Sequence, residues 1–295
     1  MGLLNVLIVV EIIYQGRTKP KCGRLQSVQI RFQIETPEEY KRIVGGMTTN
    51  ISTHIAALLI QDTEDLGYSL ICATVIISLH HSLTACHCID IMENYTGKVR
   101  SGSAYWQKDG ILHDIEAVIR NEQFNQNYLD NDIAILYVRP HFYRREIVLV
   151  AGPNYKLLDG SYIKVTGWGE RDQNRSNTKY ATWSETLYTV DVQVINNKKC
   201  SKMITQERSD YYDETELLLQ QSQFCAGLPE GGRDACIYDS GGPAVQNNVL
   251  VGIISSGASI CGHKNFPGIY VHIPNVNRWI KNMSRIFNFE VRFDN

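Results

Sequence analysis

The serine at position 240 has the sequence setting that most strongly suggests chemistry, because an aspartate precedes it and two glycines and a proline follow it. The segment reads Asp239-Ser240-Gly241-Gly242-Pro243. Two consecutive residues without a Cβ allow a tight turn, which would push the hydroxyl outward and leave main-chain N–H groups beside it. Such a setting suits nucleophilic attack on an acyl carbon, with the amides stabilising the oxyanion that forms.

A serine hydroxyl needs a base that takes its proton and a further group that orients this base. His87 lies in the segment Leu-Thr-Ala-Cys-His-Cys, and Asp132 opens the apolar run Asp-Ile-Ala-Ile-Leu. Together with Ser240 they predict a triad. In it, Asp132 would hold the tautomer of His87, and His87 would activate Ser240.

The elements that must position these residues are mainly strands. Residues 54–60, 68–78 and 249–257 form apolar runs with the length of buried strands, and turn-forming residues separate such runs. Only residues 275–287 have apolar side chains at a helical spacing of three to four. The pattern predicts an all-β fold that ends in a helix.

The three motifs and their order resemble those of the trypsin and chymotrypsin family of serine proteases. The similarity covers about residues 43–287 and includes the sequence Gly-Trp-Gly at 167–169. It implies two six-stranded antiparallel β-barrels with the active site in the cleft between them. By this resemblance, His87 and Asp132 belong to the first barrel and Ser240 to the second.

We divide the chain into a leader, a pro-segment and a peptidase domain. Residues 1–16 match a secretory signal peptide in part, since the apolar stretch is short and no Lys or Arg precedes it. Residues 17–42 are polar without a clear period and are interpreted as a pro-segment. The peptidase domain, 43–295, is divided into a first barrel at about 43–150, a second barrel at about 151–274 and the helix at about 275–287.

The junction Arg42-Ile43, followed by Val-Gly-Gly, resembles the activation site of trypsin-like zymogens. Cleavage there would create an α-ammonium on Ile43, and the resemblance implies that this group pairs with Asp239. A buried charge pair is costly to leave half formed, so the Ser240 loop would be ordered only after cleavage. Cleavage after an arginine also implies an activating protease with trypsin-like specificity.

Several residues match positions that form the primary specificity pocket of the family. Asp234 would lie at the base of the pocket and select Arg or Lys by charge. Gly257 and Gly268 would leave the pocket open, and Ser255 would support the site. Ala235 replaces the commoner serine, which favours Arg over Lys because arginine can pair with a carboxylate in bidentate fashion.

Tyr238 is the main departure from the family pattern, which has glycine at this position. The N–H of that glycine and the N–H of the serine form the oxyanion hole, so Tyr238 and Ser240 are the corresponding donors here. A tyrosine in the glycine conformation would still donate, at a strain of about 1–3 kcal/mol. A reversed peptide would lose one donor, at about 10²–10³-fold in kcat.

We predict a secreted serine endopeptidase, made as a zymogen, that cleaves after Arg or Lys through an acyl-enzyme. Its partners would be protein or peptide substrates, an activating protease and protein inhibitors, and we expect a monomer. The alternative is a catalytically impaired homologue that binds a partner or regulates another protease. Tyr238, Ser256 in place of a tryptophan and Ala73-Thr74 in place of two glycines motivate this alternative.

The eight cysteines favour an oxidising compartment, but their number does not define their pairing. Cys86 occupies a position that is usually alanine in the family. We interpret it as a small buried apolar residue, with a bridge to Cys22 or to another chain as the alternative. The pairs that the resemblance implies are Cys72–Cys88, Cys200–Cys225 and Cys236–Cys261.

Composition and motifs argue against several other classes of function. A net charge of −2 gives no electrostatic reason to expect nucleic acid or an anionic membrane as a partner. Cys86-His87-Cys88, with His80 and His81, lacks a second ligand group at zinc-site spacing, so we expect no metal and no cofactor. Sequences of the type Asn-x-Ser/Thr favour the secretory pathway and make candidate glycosylation acceptors of Asn50, Asn94, Asn174 and Asn282.

Overall fold

The computed structural model describes residues 46–49, 54–61, 67–93, 95–169, 184–208, 219–258 and 261–294. The chain divides into two units, Met1–Tyr40 and Lys41–Asn295, and all described residues belong to the second. The predicted signal peptide and pro-segment lie outside the described residues. The same holds for Arg42, Ile43, Cys22, Asn50, Asn94 and Asn174.

Six antiparallel strands of the first half close into a barrel. Leu58, Leu136 and Val138 are among the side chains that fill its interior, where they are fully buried. Alternate residues of a strand point to the same face, so each strand supplies apolar side chains to this core. In their order around the barrel the strands are β2 (Ile55–Gln61), β3 (Tyr68–Ile76), β4 (His81–Thr84), β7 (Ala134–Arg139), β6 (Ile111–Arg120) and β5 (Gly97–Ser101).

The second half forms a further six-stranded antiparallel ring, which closes because β12 pairs with both β9 and β13. The ring consists of β9 (Tyr162–Gly167), β10 (Tyr188–Ile195), β11 (Gln223–Gly227), β14 (Gly268–His272), β13 (Val249–Ser256) and β12 (Pro243–Gln246). Three short strands attach to it: β1 (Met47–Thr48) on β10, β8 (Leu149–Ala151) on β13 and β15 (Phe293–Asp294) on β8. The predicted fold of two six-stranded barrels is confirmed.

In the described part of the chain, three α-helices accompany the barrels: α1 (Cys86–Met92), α2 (Asn197–Arg208) and α3 (Ile273–Ile286). The helix predicted at 275–287 is therefore present as α3. It has a proline in its first turn, where the missing N–H costs nothing, and it buries Trp279 and Ile280 against the second barrel. None of the helices in the described ranges has the length and apolar character needed to cross a membrane.

Three disulfides join segments of the described residues. Cys72–Cys88 links β3 to α1, Cys200–Cys225 links α2 to β11, and Cys236–Cys261 links two loops of the second barrel. These are the pairs that the family resemblance implied. The first of them lies directly beside His87, and the third closes the segment that contains Ser240.

Candidate active site

Asp132 is a fully buried carboxylate that accepts three hydrogen bonds. Its Oδ2 lies 2.7 Å from Nδ1 of His87, and its Oδ1 accepts the backbone N–H of His87 at 2.9 Å. Ser255 of β13 donates its hydroxyl to Oδ2 at 2.7 Å. The carboxylate thus fixes both the ring and the backbone of His87, and it favours the tautomer whose Nε2 can act as a base.

Short secondary-structure elements present these two residues. His87 lies in the first turn of α1, which begins one residue after the extended Ala85. Asp132 precedes β7 and is the middle residue of a three-residue turn, since the N–H of Ile133 donates to the carbonyl of Asn131 at 2.8 Å. Because β4 and β7 pair directly, the two residues extend from neighbouring strands of one barrel.

Ser240 is half-buried, and its segment packs against the first barrel. Its carbonyl accepts the N–H of Ala73 at 2.8 Å. Gly241 has φ 80°, and a Cβ there would lie 2.3 Å from Thr84 Oγ1 and 3.1 Å from the Ala85 nitrogen. This glycine therefore lets the serine segment lie against the residues that lead into His87.

Among the described contacts, no hydrogen bond joins the Ser240 hydroxyl to the His87 ring. Nε2 lies 3.8 Å from Sγ of Cys88. The hydrogen bond between a catalytic base and its nucleophile is often long in the absence of substrate and shortens in the substrate complex. The structure therefore brings together His87, Asp132 and Ser255 directly, and Ser240 through its backbone.

Tyr238 has φ 75°, in the left-handed region that favours glycine. The N–H of Asp239 donates to the carbonyl of Cys236 at 3.0 Å, so a β-turn runs from Cys236 to Asp239 with Tyr238 at its third position. A positive φ at that position is typical of a type II turn. The tyrosine ring packs against a buried cluster that includes Leu70 and Trp168, and this packing offsets a strain of about 1–3 kcal/mol.

Asp239 is fully buried and lies against the Gly-Trp-Gly segment. It accepts the N–H of Gly169 at 2.7 Å and the N–H of Cys236 at 2.8 Å. A Cβ on Gly167 would lie 1.9 Å from a carboxylate oxygen, and a Cβ on Gly169 would lie 2.2 Å from one. Burial raises the pKa of Asp239 to about 7, although these N–H groups oppose the shift. Within the described ranges, no basic side chain forms an ion pair with it.

Asp234 is 2% exposed and lies beside two glycines. A Cβ on Gly268 would lie 2.7 Å from Asp234 Oδ1, and one on Gly257 would lie 3.7 Å from the Cα of Gly268. The space beside the carboxylate therefore depends on glycine at 268. Burial raises the pKa of Asp234 to about 8, opposed by the N–H of Ala235 at 2.8 Å. The hydroxyl of Tyr270 also opposes this shift, although it makes no hydrogen bond of ordinary geometry.

A family model described as Trypsin matches residues 43–280. The chain belongs to the trypsin family. It is 32% identical over 244 residues to a vitellin-degrading protease of Bombyx mori, covering 81% of this chain and 84% of that protein. It is 33% identical over 254 residues to an alkaline trypsin (A) of Manduca sexta, covering 84% and 93% of the two chains. It is also 30% identical over 247 residues to trypsin alpha of Drosophila erecta, covering 83% and 88%.

In this trypsin-family chain, Cys86 is a free and fully buried thiol next to His87. Burial raises its pKa to about 11, and Arg120 opposes the shift. It therefore behaves as a small apolar residue, and the alternative partner Cys22 lies outside the described ranges. The sulfurs of Cys72 and Cys88 lie close to the His87 ring, but because they form a disulfide they do not act as thiolate metal ligands.

Two site features of this trypsin-family chain were missed by the sequence analysis. The Gly-Trp-Gly segment was treated only as a family landmark, yet Gly167 and Gly169 leave the space that the Asp239 carboxylate occupies. Two glycines flanking a buried tryptophan were the available signal for such a close approach. The contacts that Ser222 and Gln223 make with residues 128–131, the segment before Asp132, were also missed, because they join residues 91 to 95 positions apart.

Proposed function

We propose that the chain is a trypsin-like serine endopeptidase that hydrolyses peptide bonds after Arg or Lys once it is cleaved between Arg42 and Ile43. The set of hydrogen bonds that Asp132 accepts from His87 and Ser255 is the observation that carries this proposal. Membership of the trypsin family supplies the reaction class, which is serine protease hydrolysis.

The proposed mechanism assigns one role to each residue of the triad. Ser240 attacks the peptide carbonyl carbon while His87 Nε2 takes the hydroxyl proton, and His87 then delivers this proton to the leaving amine. Water then attacks the acyl-enzyme carbonyl while His87 takes its proton, and His87 delivers this proton to the Ser240 oxygen as the carboxylic acid product leaves. Asp132 stabilises the imidazolium that forms in each half-reaction, and the N–H groups of Tyr238 and Ser240 stabilise the oxyanion.

The positive φ of Tyr238 supports an intact oxyanion hole, because this is the conformation that the glycine of the family pattern would tolerate. A reversed peptide between Ile237 and Tyr238 would give a different turn type, with negative φ at Tyr238. The alternative of a catalytically impaired homologue is not favoured, since no member of the proposed triad is missing and this turn is of the type that glycine prefers.

The proposed preference for Arg and Lys rests on Asp234. A buried carboxylate with a raised pKa is short of stabilising partners, so a cationic side chain that enters beside it gains a strong charge-assisted hydrogen bond. Ala235 offers no hydroxyl to a lysine ammonium, whereas an arginine guanidinium can reach the carboxylate in bidentate fashion. We therefore propose Arg as the better substrate residue.

The proposed activation rests on Asp239, which is buried and has no cationic partner among the described residues. A new α-ammonium on Ile43 would supply the missing charge and lower the pKa of this carboxyl. Because Asp239 adjoins both Tyr238 and Ser240, pairing would also fix the backbone that carries the oxyanion donors. The proposal needs an activating protease that cleaves after Arg42.

The proposal includes secretion through an oxidising compartment, which the three disulfides between described residues support. Of the four candidate glycosylation acceptors, only Asn282 lies among the described residues. It is exposed on α3, so its side chain is accessible from solvent. We propose protein or peptide substrates that contain Arg or Lys as the partners of this site.

The first prediction concerns turnover. Precursor cleaved after Arg42 with an immobilised trypsin-like protease, then freed of it, should hydrolyse an Arg-amide substrate faster than the matching Lys-amide. Ser240→Ala should lower kcat by roughly 10⁶-fold, because the nucleophile is lost. Steady-state kinetics of cleaved and uncleaved protein provide the measurement. Cleaved wild type no faster than cleaved Ser240→Ala would refute the proposed function.

The second prediction concerns Tyr238→Gly in the cleaved protein. Since Tyr238 already has the conformation that a glycine would adopt, we expect kcat to change by less than about tenfold. A reversed peptide in the wild type would instead make glycine restore about 10²–10³-fold in kcat. Comparison of kcat for the two proteins on one Arg-amide substrate separates these outcomes, and a gain of 10²-fold or more would contradict the intact oxyanion hole.

The third prediction concerns the pH dependence of KM. With the pKa of Asp234 near 8 in the empty pocket, a substrate cation must displace a proton at lower pH. The KM of an Arg-amide substrate should therefore rise as pH falls below 8, by up to about tenfold per unit. A citrulline-amide substrate, which is neutral and similar in shape, should not show this rise. The same pH dependence for both substrates would contradict the role of Asp234.

A further inference from the structure

Ser222 directly precedes β11 and so belongs to the second barrel. It nevertheless contacts the segment of the first barrel that presents Asp132. It is 5% exposed. Its hydroxyl accepts the backbone N–H of Asn131 at 2.8 Å and donates to the carboxylate of Asp130. One buried hydroxyl therefore makes two hydrogen bonds, one as donor and one as acceptor, to the two residues that directly precede Asp132.

Gln223, the next residue, contacts the same segment at the two residues that precede Asp130. It is 4% exposed, and its Nε2 donates to the carbonyls of Tyr128 and Leu129, both at 3.0 Å. Its Oε1 accepts the N–H of Gln220 at 3.0 Å, and this bond orients the side-chain amide so that its NH2 group faces the segment. Together, Ser222 and Gln223 make contact with all four residues from Tyr128 to Asn131.

The segment from Tyr128 to Asn131 has a backbone that needs outside support. Leu129 has φ 50° and Asn131 has φ 54°, both in the left-handed region. A leucine keeps such a conformation only where its surroundings impose it, whereas an asparagine adopts it more readily. The carbonyl of Asn131 also closes the three-residue turn around Asp132, so a shift of Asn131 would move Asp132 with it.

We propose that Ser222 and Gln223 are positioning residues for Asp132 and that they adjust its alignment with His87 from the second barrel. This inference rests on the proposed function, because it assumes that Asp132 orients the catalytic base. Neither residue contacts His87 or Ser240 among the described contacts, so both act through the segment before Asp132. The 2.7 Å contact between Asp132 and His87 depends on that alignment, and misplacement of a catalytic group by 1 Å can cost about 10²-fold.

The test compares Ser222→Ala and Gln223→Met with wild type, each cleaved after Arg42. We expect kcat on an Arg-amide substrate to fall by about 10- to 100-fold, with KM within about twofold of wild type. The acid limb of the profile of kcat/KM against pH should move to lower pH, because the His87 imidazolium loses part of its stabilisation by Asp132. Ser222→Thr keeps the hydroxyl and should restore kcat and the profile.

Gln246→Met provides a matched control for a purely structural role. The Nε2 of Gln246 also donates two hydrogen bonds, to the Tyr162 carbonyl at 2.9 Å and the Ser161 hydroxyl at 3.1 Å, within the second barrel. This variant should keep the wild-type kcat and pH profile even if its Tm falls.

Two outcomes would overturn the inference, and they are distinguishable. If the wild type is active while Ser222→Ala and Gln223→Met match Gln246→Met in kcat and pH profile, the inference is refuted and the proposed function stands. An inactive wild type would refute the proposed function and, with it, this inference.

Discussion

The buried carboxylate of Asp132 is the constraint on which the candidate site depends. Removing a carboxylate from water is costly unless its oxygens accept good hydrogen bonds. Here those bonds come from both barrels, since His87 belongs to the first and Ser255 to the second. The charge is therefore compensated only when the barrels pack in one arrangement, and that arrangement is also the one that brings the Ser240 segment against the residues before His87.

Asp234 and Asp239 are buried in a different way, because backbone N–H groups compensate them only in part. Burial raises the pKa of both carboxyls, to about 8 for Asp234 and about 7 for Asp239. Each therefore provides a position at which an added positive charge would be stabilised. In the proposed function, a substrate side chain provides this charge beside Asp234, and the ammonium of Ile43 provides it beside Asp239. Substrate binding and activation therefore both depend on pairing a buried carboxylate with a cation.

Sequence patterns predicted the parts of the structure that local composition controls. The strands β2, β3 and β13 were predicted because buried strands form apolar runs, whereas β4, β11 and β12 were not, since they have only four or five residues each. The helix α1 was missed because seven residues are too few to show a helical period. His87, Asp132 and Ser240 were predicted from local motifs. The φ of Tyr238 and the contacts of Ser222 were not, because packing between distant segments determines them.

Labelling of Ser240 by a fluorophosphonate tests the central claim most directly, because it reports activation of the nucleophile without any substrate preference. The measurement is the labelling rate of protein cleaved after Arg42, compared with uncleaved precursor and with cleaved Asp132→Asn. We predict labelling of Ser240 in the cleaved wild type, slower labelling of the precursor, and a rate lower by about 10³–10⁴-fold for Asp132→Asn. No labelling of the cleaved wild type above that of Ser240→Ala, or equal rates for wild type and Asp132→Asn, would contradict this account.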